Sequence, residues 1–333
     1  MAAILSPRAM AQSLHPAAFL PLSAAVVRVE ASPERGVASI GSGVTVAPQI
    51  VVTNCHVTRG AAAIRISGAG QIFDVSAEHA DGTHDVCFLQ VPDWQGKPVD
   101  LAPRDDLRIG APVAAIGFTG GTGRSLQFGR VRGLHTLEGA RVIQSDAAFT
   151  SGASGGALFD AQGRLVGLLT FRSREAPRTG YYALPVQWIR DRLPRGGEWE
   201  PVHPLADAAP FWERDPVTQP FFMRAASLDA ERRWPELIEL TSAWAKADPD
   251  DAEPFRFRGS ALQALDRADS AVYAFNEALR LAPDDPRSWF GLARAYASIG
   301  DDAASQQAES KVADLDEDLA TRLRDEIEHA TSR

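Results

Sequence analysis

The chain is 333 residues long, a length that accommodates two domains. Apolar residues make up 45% and charged residues 23%, which excludes general disorder, and no run nears the roughly 18 apolar residues of a membrane span. The two cysteines exclude a disulfide framework or a cysteine-rich zinc module, and the net charge of −9 argues against nucleic acid as the main partner.

The charge is uneven along the chain. Residues 1–195 hold 19 basic and 15 acidic side chains, whereas residues 196–333 hold 15 and 28. Such a break marks two units with different surfaces, the plain reading of the second being helices with solvated acidic faces. At the start, Ala9-Met10-Ala11 fits the small-x-small pattern before a signal-peptidase cut. The apolar stretch that should precede it is cut short by Pro7-Arg8. Residues 1–21 therefore read as an N-terminal tail or the remnant of an export signal. A periplasmic or secreted setting is expected, with the cytoplasm as the alternative.

Residues 22–193 read as an all-β unit. Val26-Val27-Arg28-Val29, Gly43-Val44-Thr45-Val46, Ile50-Val51-Val52-Thr53 and Ala63-Ile64-Arg65-Ile66 have the texture of strands. So do Val86-Cys87-Phe88-Leu89, Val113-Ala114-Ala115-Ile116, Arg141-Val142-Ile143-Gln144, Leu165-Val166-Gly167-Leu168-Leu169 and Tyr181-Tyr182-Ala183-Leu184. Many short strands with no long helical pattern between them indicate antiparallel barrels or sandwiches.

Three patterns on these strands carry chemistry. Val51-Val52-Thr53-Asn54-Cys55-His56-Val57 puts a histidine just after a strand. His84-Asp85-Val86-Cys87-Phe88-Leu89 puts an aspartate at the entry to an apolar strand. Ser151-Gly152-Ala153-Ser154-Gly155-Gly156 puts a serine in a glycine-rich turn. Each is weak alone: a lone histidine is usually structural, a lone aspartate caps a turn, and a glycine-rich turn can be an anion nest. Together they answer the needs of acyl transfer. A serine hydroxyl needs a base, the base needs an orienting carboxylate, and glycines free backbone N–H groups to face a developing oxyanion.

Residues 194–215, with Pro194, Gly196, Gly197, Pro201, Pro204 and Pro210, read as a linker, and its Trp199, Phe211 and Trp212 indicate that parts of it pack against a domain. Residues 216–333 read as helical, with a repeat of 34 that begins at 218, 252 and 286. Phe221, Phe255 and Trp289 share one register position, Ala225, Gly259 and Ala293 another, and Leu237, Ala271 and Ser305 a third. Small residues there let two helices approach while the aromatic fills the gap to the next repeat. Gly259, Ala271, Phe275, Ala278 and Pro283 in the middle copy resemble the tetratricopeptide repeat. That resemblance implies a groove for a peptide or protein partner.

The three chemical patterns resemble trypsin-like serine peptidases of the bacterial high-temperature-requirement (HtrA/Deg-like) branch. That family carries Thr-Asn-x-His-Val, Asp-aliphatic-Ala-aliphatic-Leu and Gly-Asn-Ser-Gly-Gly. Here they read Thr53-Asn54-Cys55-His56-Val57, Asp85-Val86-Cys87-Phe88-Leu89 and Gly152-Ala153-Ser154-Gly155-Gly156. Gly41-Ser42-Gly43, Ala115-Ile116-Gly117-Phe118 and Gln144-Ser145-Asp146-Ala147-Ala148 agree with it. The resemblance implies a double β-barrel, no cofactor or metal, and hydrolysis of peptide bonds in protein substrates. It assigns Ser154 as nucleophile, His56 as base, Asp85 as its orienting carboxylate, and the N–H groups of Gly152 and Ser154 as the oxyanion hole. Ala153 replaces the family asparagine and Cys87 the family alanine. The helical repeats stand where a PDZ-like segment is expected, so the resemblance does not by itself imply the family's PDZ-dependent oligomer regulation.

By the same resemblance, Ala148, Phe149, Thr170 and Phe171 line the pocket for the residue before the cut. Ala148 stands where enzymes that select Arg or Lys keep an acid, so a small or medium apolar preference is expected. His84 is read as facing away from the site across its strand. Cys55 and Cys87 are read as two buried small apolar residues rather than a disulfide or redox switch. His79, His84 and His135 share no metal-ligand spacing with either cysteine. A competing reading is a binding scaffold in which the protease fold is inactive or latent and the repeats do the work. An esterase of the α/β-hydrolase kind is disfavoured because no βαβ unit is present.

Overall fold

The computed structural model describes residues 14, 16–104, 106–120, 123–173, 180–194, 196, 198–205 and 209–331, the side chains of 328–331 apart. The chain divides into a β-rich unit that ends at Arg214 and a helical unit that begins at Asp215.

The β-rich unit opens with α1 (Pro16–Ser23), then β1 (Val26–Ser32), β2 (Ser39–Ala47), β3 (Ile50–Thr53), the short α2 (Cys55–Thr58), β4 (Ala63–Gly68), β5 (Gln71–Asp74), β6 (Ala77–Asp81) and β7 (Val86–Gln90). It continues with β8 (Pro112–Thr119), β9 (Gly123–Leu137), β10 (Ala140–Ser145), β11 (Ala157–Asp160), β12 (Leu165–Ser173), β13 (Gly180–Pro185) and α3 (Val186–Arg192). The first seven strands form one antiparallel sheet in the order β5-β4-β1-β2-β3-β7-β6, and the last six close into a barrel, β10-β13-β12-β11-β8-β9. Alternation sets both cores. Val27, Val29, Val51, Ile64, Ile66 and Leu89 meet inside the first sheet, while Ile116, Leu158, Leu165 and Leu168 are wholly buried in the barrel.

Three sequence expectations need correction. The first sheet is open where a second closed barrel is expected. The outer edge of β6 is taken instead by Glu200, whose N–H donates to the Glu78 carbonyl at 3.0 Å and whose carbonyl accepts from the Glu78 N–H at 2.8 Å. The N-terminal stretch, read as a tail to residue 21, is helical from Pro16. Phe19 drives this, being 1% exposed with its ring edge-on to Phe128 at 5.6 Å; the tail and cleavage-site reading for residues 1–13 lies outside the described residues. The stretch read as a linker belongs to the β-rich unit through Arg214.

The helical unit holds α4 (Phe221–Ala230), α5 (Trp234–Ala247), α6 (Glu253–Ala264), α7 (Ala268–Leu281), α8 (Pro286–Ile299), α9 (Asp302–Leu315) and α10 (Glu317–Thr331). α5, α7 and α9 begin 34 residues apart, the period read from the sequence. A Cβ at Gly259 would stand 2.8 Å from the Phe275 ring, so only glycine lets α6 and α7 approach this closely. Ala225, Ala271 and Ala293 are completely buried at the other small positions. No described helix is long and apolar enough to cross a membrane.

Candidate active site

Strand pairing assembles the acid and the base. β3 lies beside β7 with Thr53 opposite Cys87, so the residues just after β3 face those just before β7. Asp85 occupies that entry with a left-handed backbone, φ 58°, a conformation aspartate tolerates better than most residues. Its carboxylate is completely buried. Oδ2 lies 2.7 Å from His56 Nδ1, and Oδ1 accepts the His56 backbone N–H at 2.7 Å. The bond to Nδ1 favours the tautomer with an unprotonated Nε2. Asn54 Nδ2 donates to the Asp85 carbonyl at 3.0 Å, fixing the backbone behind the carboxylate.

Cys55 and Cys87 form a disulfide across these two segments. This corrects the reading of two separate apolar thiols. The bond places a covalent link one residue before His56 and two residues after Asp85.

The serine turn is fixed from the other side. Ser42 on β2 donates its N–H to the Ser154 carbonyl at 2.7 Å and its hydroxyl to the Gly152 carbonyl at 2.7 Å. The Ser42 hydroxyl also accepts the Phe118 N–H at 2.8 Å. Gly155 packs so tightly here, φ 82°, that a Cβ would fall 2.1 Å from the Ser42 carbonyl oxygen. The carbonyl of the 151–152 peptide accepts from Gly120 N–H, and that of the 153–154 peptide from Gly156 N–H, each at 2.8 Å. A trans peptide points its N–H opposite to its carbonyl. The N–H groups of Gly152 and Ser154 are thereby turned away from these bonds, and among the described residues neither donates to the chain. The Ala153 N–H between them is spent on the Thr150 carbonyl at 3.1 Å.

Thr170 touches both halves. Its hydroxyl donates to Asp85 Oδ2 at 3.2 Å, and its carbonyl accepts the Ser154 hydroxyl at 3.1 Å. The sequence reading puts Thr170 in the substrate pocket; its side chain is instead buried against the carboxylate. Of the other expected pocket residues, Ala148 is exposed, Phe149 is buried against Tyr181 at 5.2 Å, and Phe171 stacks on Tyr182 at 4.5 Å. Sequence reasoning met Ser42 only within a matching string and Thr170 only as a pocket residue; it missed their supporting roles, because a lone hydroxyl on a strand carries no pattern.

His84 does not join the site. Its Nδ1 lies 2.8 Å from Asp81 Oδ2 and its Nε2 2.7 Å from Glu138 Oε2. Burial opposes its charge, but the bonds to the Asp81 and Glu138 carboxylates outweigh burial and raise its pKa above the ordinary value. No group of three or more His, Cys, Asp or Glu among the described residues is arranged to hold a metal.

Residues 41–168 match the family model of the trypsin-like peptidase domain. The chain is 37% identical over 164 residues to Protease Do-like 1, chloroplastic, of Arabidopsis thaliana, covering 44% of this chain and 37% of that protein. It is 35% identical over 141 residues to the periplasmic serine endoprotease DegP of Salmonella typhimurium, covering 40% of this chain and 30% of that protein. The chain thus spans about a third of the length of these curated relatives. The crystal structure of the Rv3671c protease from M. tuberculosis in its active form superposes with a TM-score of 0.52 at 24% identity, covering 61% of this chain and 99% of that one, a likeness of fold. Residues 41–168 are a trypsin-like peptidase domain with DegP-type serine proteases among its relatives.

Proposed function

We propose that this chain is a serine endopeptidase acting on protein substrates. The observation that carries the reading is the conjunction at one locus: an imidazole oriented by a buried carboxylate, beside a serine turn with two undonated N–H groups. In this reading Ser154 attacks the scissile carbonyl and His56 Nε2 takes its proton. His56 then gives that proton to the leaving amine, and Asp85 holds the tautomer and stabilises the imidazolium. The N–H groups of Gly152 and Ser154 receive the oxyanion, preorganised by the bonds that fix their peptide planes. Water repeats the cycle on the acyl-enzyme.

The helical unit is read as a tetratricopeptide-like module that recruits a protein partner or substrate. Its 34-residue spacing and its buried small positions support this. The disulfide supports an oxidising compartment, so we place the protein in the periplasm or outside the cell. Ala148 in place of an acid supports cleavage after small or medium apolar residues.

One observation favours a latent form as the second reading. The Ser154 hydroxyl donates to Thr170 rather than to His56, although catalytic hydrogen bonds often tighten only with substrate bound. A fluorophosphonate probe discriminates between the two. Labelling of the wild-type chain that disappears in Ser154→Ala supports the peptidase. Turnover of a peptide substrate should fall on the order of 10⁴–10⁶-fold in Ser154→Ala or His56→Ala. Equal labelling of wild type and Ser154→Ala would remove Ser154 as the nucleophile.

A further inference from the structure

The segment after α3 is tied to the β-rich unit at several points. Glu200 pairs with Glu78 through two backbone bonds, and the Leu205 N–H donates to the Arg59 carbonyl at 2.8 Å. Phe211 is 3% exposed, edge-on to Trp188 at 6.3 Å and to Phe171 at 5.8 Å. Glu213 Oε2 accepts from the Arg59 guanidinium at 2.9 Å. Arg59 directly follows α2, the helix that carries His56. Between these anchors lies Trp212. Its ring stacks on Phe171 at 4.8 Å and stands perpendicular to the His56 imidazole at 6.1 Å.

That position matters for any extended peptide bound at Ser154. Such a peptide is held by main-chain bonds to a free strand edge, and its side chains alternate in direction. Beside Ser154 stands Thr170–Phe171, where β12 slips out of register with β13 between Leu169 and Arg172 and the Thr170 carbonyl meets the Ser154 hydroxyl. In the peptidase reading the 146–151 turn lines the pocket for the side chain of the acylated residue. Alternation turns the side chain of the residue before it the opposite way, in this reading the side on which the His56 imidazole lies. Trp212 occupies that side, and Phe171 cannot retreat because Tyr182 stacks on its other face at 4.5 Å with the rings 5° from parallel.

We infer that Trp212 is a specificity-determining residue that closes this subsite, so that the second residue on the acyl side of the cut is Gly or Ala. The inference rests on the peptidase reading. It assigns the restriction to a segment that lies beyond the strands bearing the candidate triad. The buried Phe211 and the Arg59–Glu213 pair make Trp212 a fixed wall rather than a loose flap.

The test uses the full chain and a proteome-derived peptide library, with the residue at each position around the cut read by mass spectrometry. Wild type should cut with Gly and Ala dominant at the second acyl-side position. Trp212→Ala should admit Val, Leu and Phe there, kcat/KM for such peptides rising about tenfold or more. Peptides with Gly or Ala there should change by less than about threefold in the same comparison. Trp212→Phe, which keeps a ring, should give an intermediate profile and covers the case in which the alanine variant folds poorly. Large residues at that position in wild-type cleavages, or a uniform rise for all peptides in Trp212→Ala, would overturn the inference while leaving the peptidase reading intact. No cleavage and no fluorophosphonate labelling of either chain would overturn the peptidase reading, and the wall with it.

Discussion

Ser42 carries no reactive chemistry, yet its backbone and hydroxyl bind three segments at once. Its N–H and hydroxyl hold the carbonyls of Ser154 and Gly152, and its own carbonyl accepts the Thr53 hydroxyl at 2.7 Å, in the strand that leads to His56. The residue is completely buried, so no water replaces a lost bond. Ser42→Ala leaves the Gly152 carbonyl and the Phe118 N–H without this partner and frees the peptide plane beside the candidate oxyanion hole. Loss of a hole donor costs about 10²–10³ in kcat, and loss of a support for the hole should cost less, about 10–100-fold. KM should stay within about threefold, because the groups that hold the ground-state peptide are untouched. A variant that melts earlier but keeps wild-type kcat well below its melting temperature would reduce Ser42 to a stabilising role. Asp85, His56 and Ser154 were legible in the sequence because each sits in a distinctive local string. The supporting roles of Ser42 and Thr170 were not, because those roles arise only when strands far apart in the chain meet.

Among the elements, strands with strict alternation were readable one by one, and their partners were not. Whether Cys55 and Cys87 join depends on the β3–β7 register, which pairs Thr53 with Cys87 across more than thirty residues of chain. The pairing of Glu200 with the outer edge of β6 likewise has no local signature. α1 was missed because residues 1–21 were read as a tail or export-signal remnant, while the burial of Phe19, which no local string announces, decides its fate. The helices were readable through their period, yet one of their turns holds a charge problem that the period does not reveal. Asp251, before α6, accepts the Glu253 N–H on Oδ1 at 2.9 Å, and its buried Oδ2 has no hydrogen-bond partner among the described residues. Burial first, and then the Glu253 charge, push its pKa up from 3.8 to about 7. A carboxyl whose folded pKa is raised contributes stability that is fully present below pH 3.8 and lost as pH rises through about 7. Asp251→Asn keeps the Oδ1 acceptor and removes the charge. It should therefore stabilise the helical unit by about 1–3 kcal/mol at pH 8 and by little at pH 4. Parallel melting curves for the two proteins across that range would contradict the assignment.

At the scale of the whole molecule, each unit encloses its own apolar core, the strand-lined cluster around Val51 and Leu89 in one and the Phe275 cluster in the other. A chain ending at Arg214 keeps every residue of the β-rich unit, whereas a chain ending at Glu200 loses the buried Phe211 and the Arg59–Glu213 pair. The burial of Phe211 alone contributes about 1.5–3 kcal/mol, so the shorter chain should melt measurably below the longer one. If the helical unit recruits protein, the 1–214 chain should hydrolyse a small peptide ester like the full chain but need more casein to reach half-maximal rate. Tethering a second binding module raises the local concentration of substrate, and its loss should raise KM for casein by about tenfold or more with kcat unchanged. Equal KM values for casein in the two chains would remove recruitment from the helical unit. A fall in ester hydrolysis on cutting at 214 would instead make that unit part of the peptidase itself.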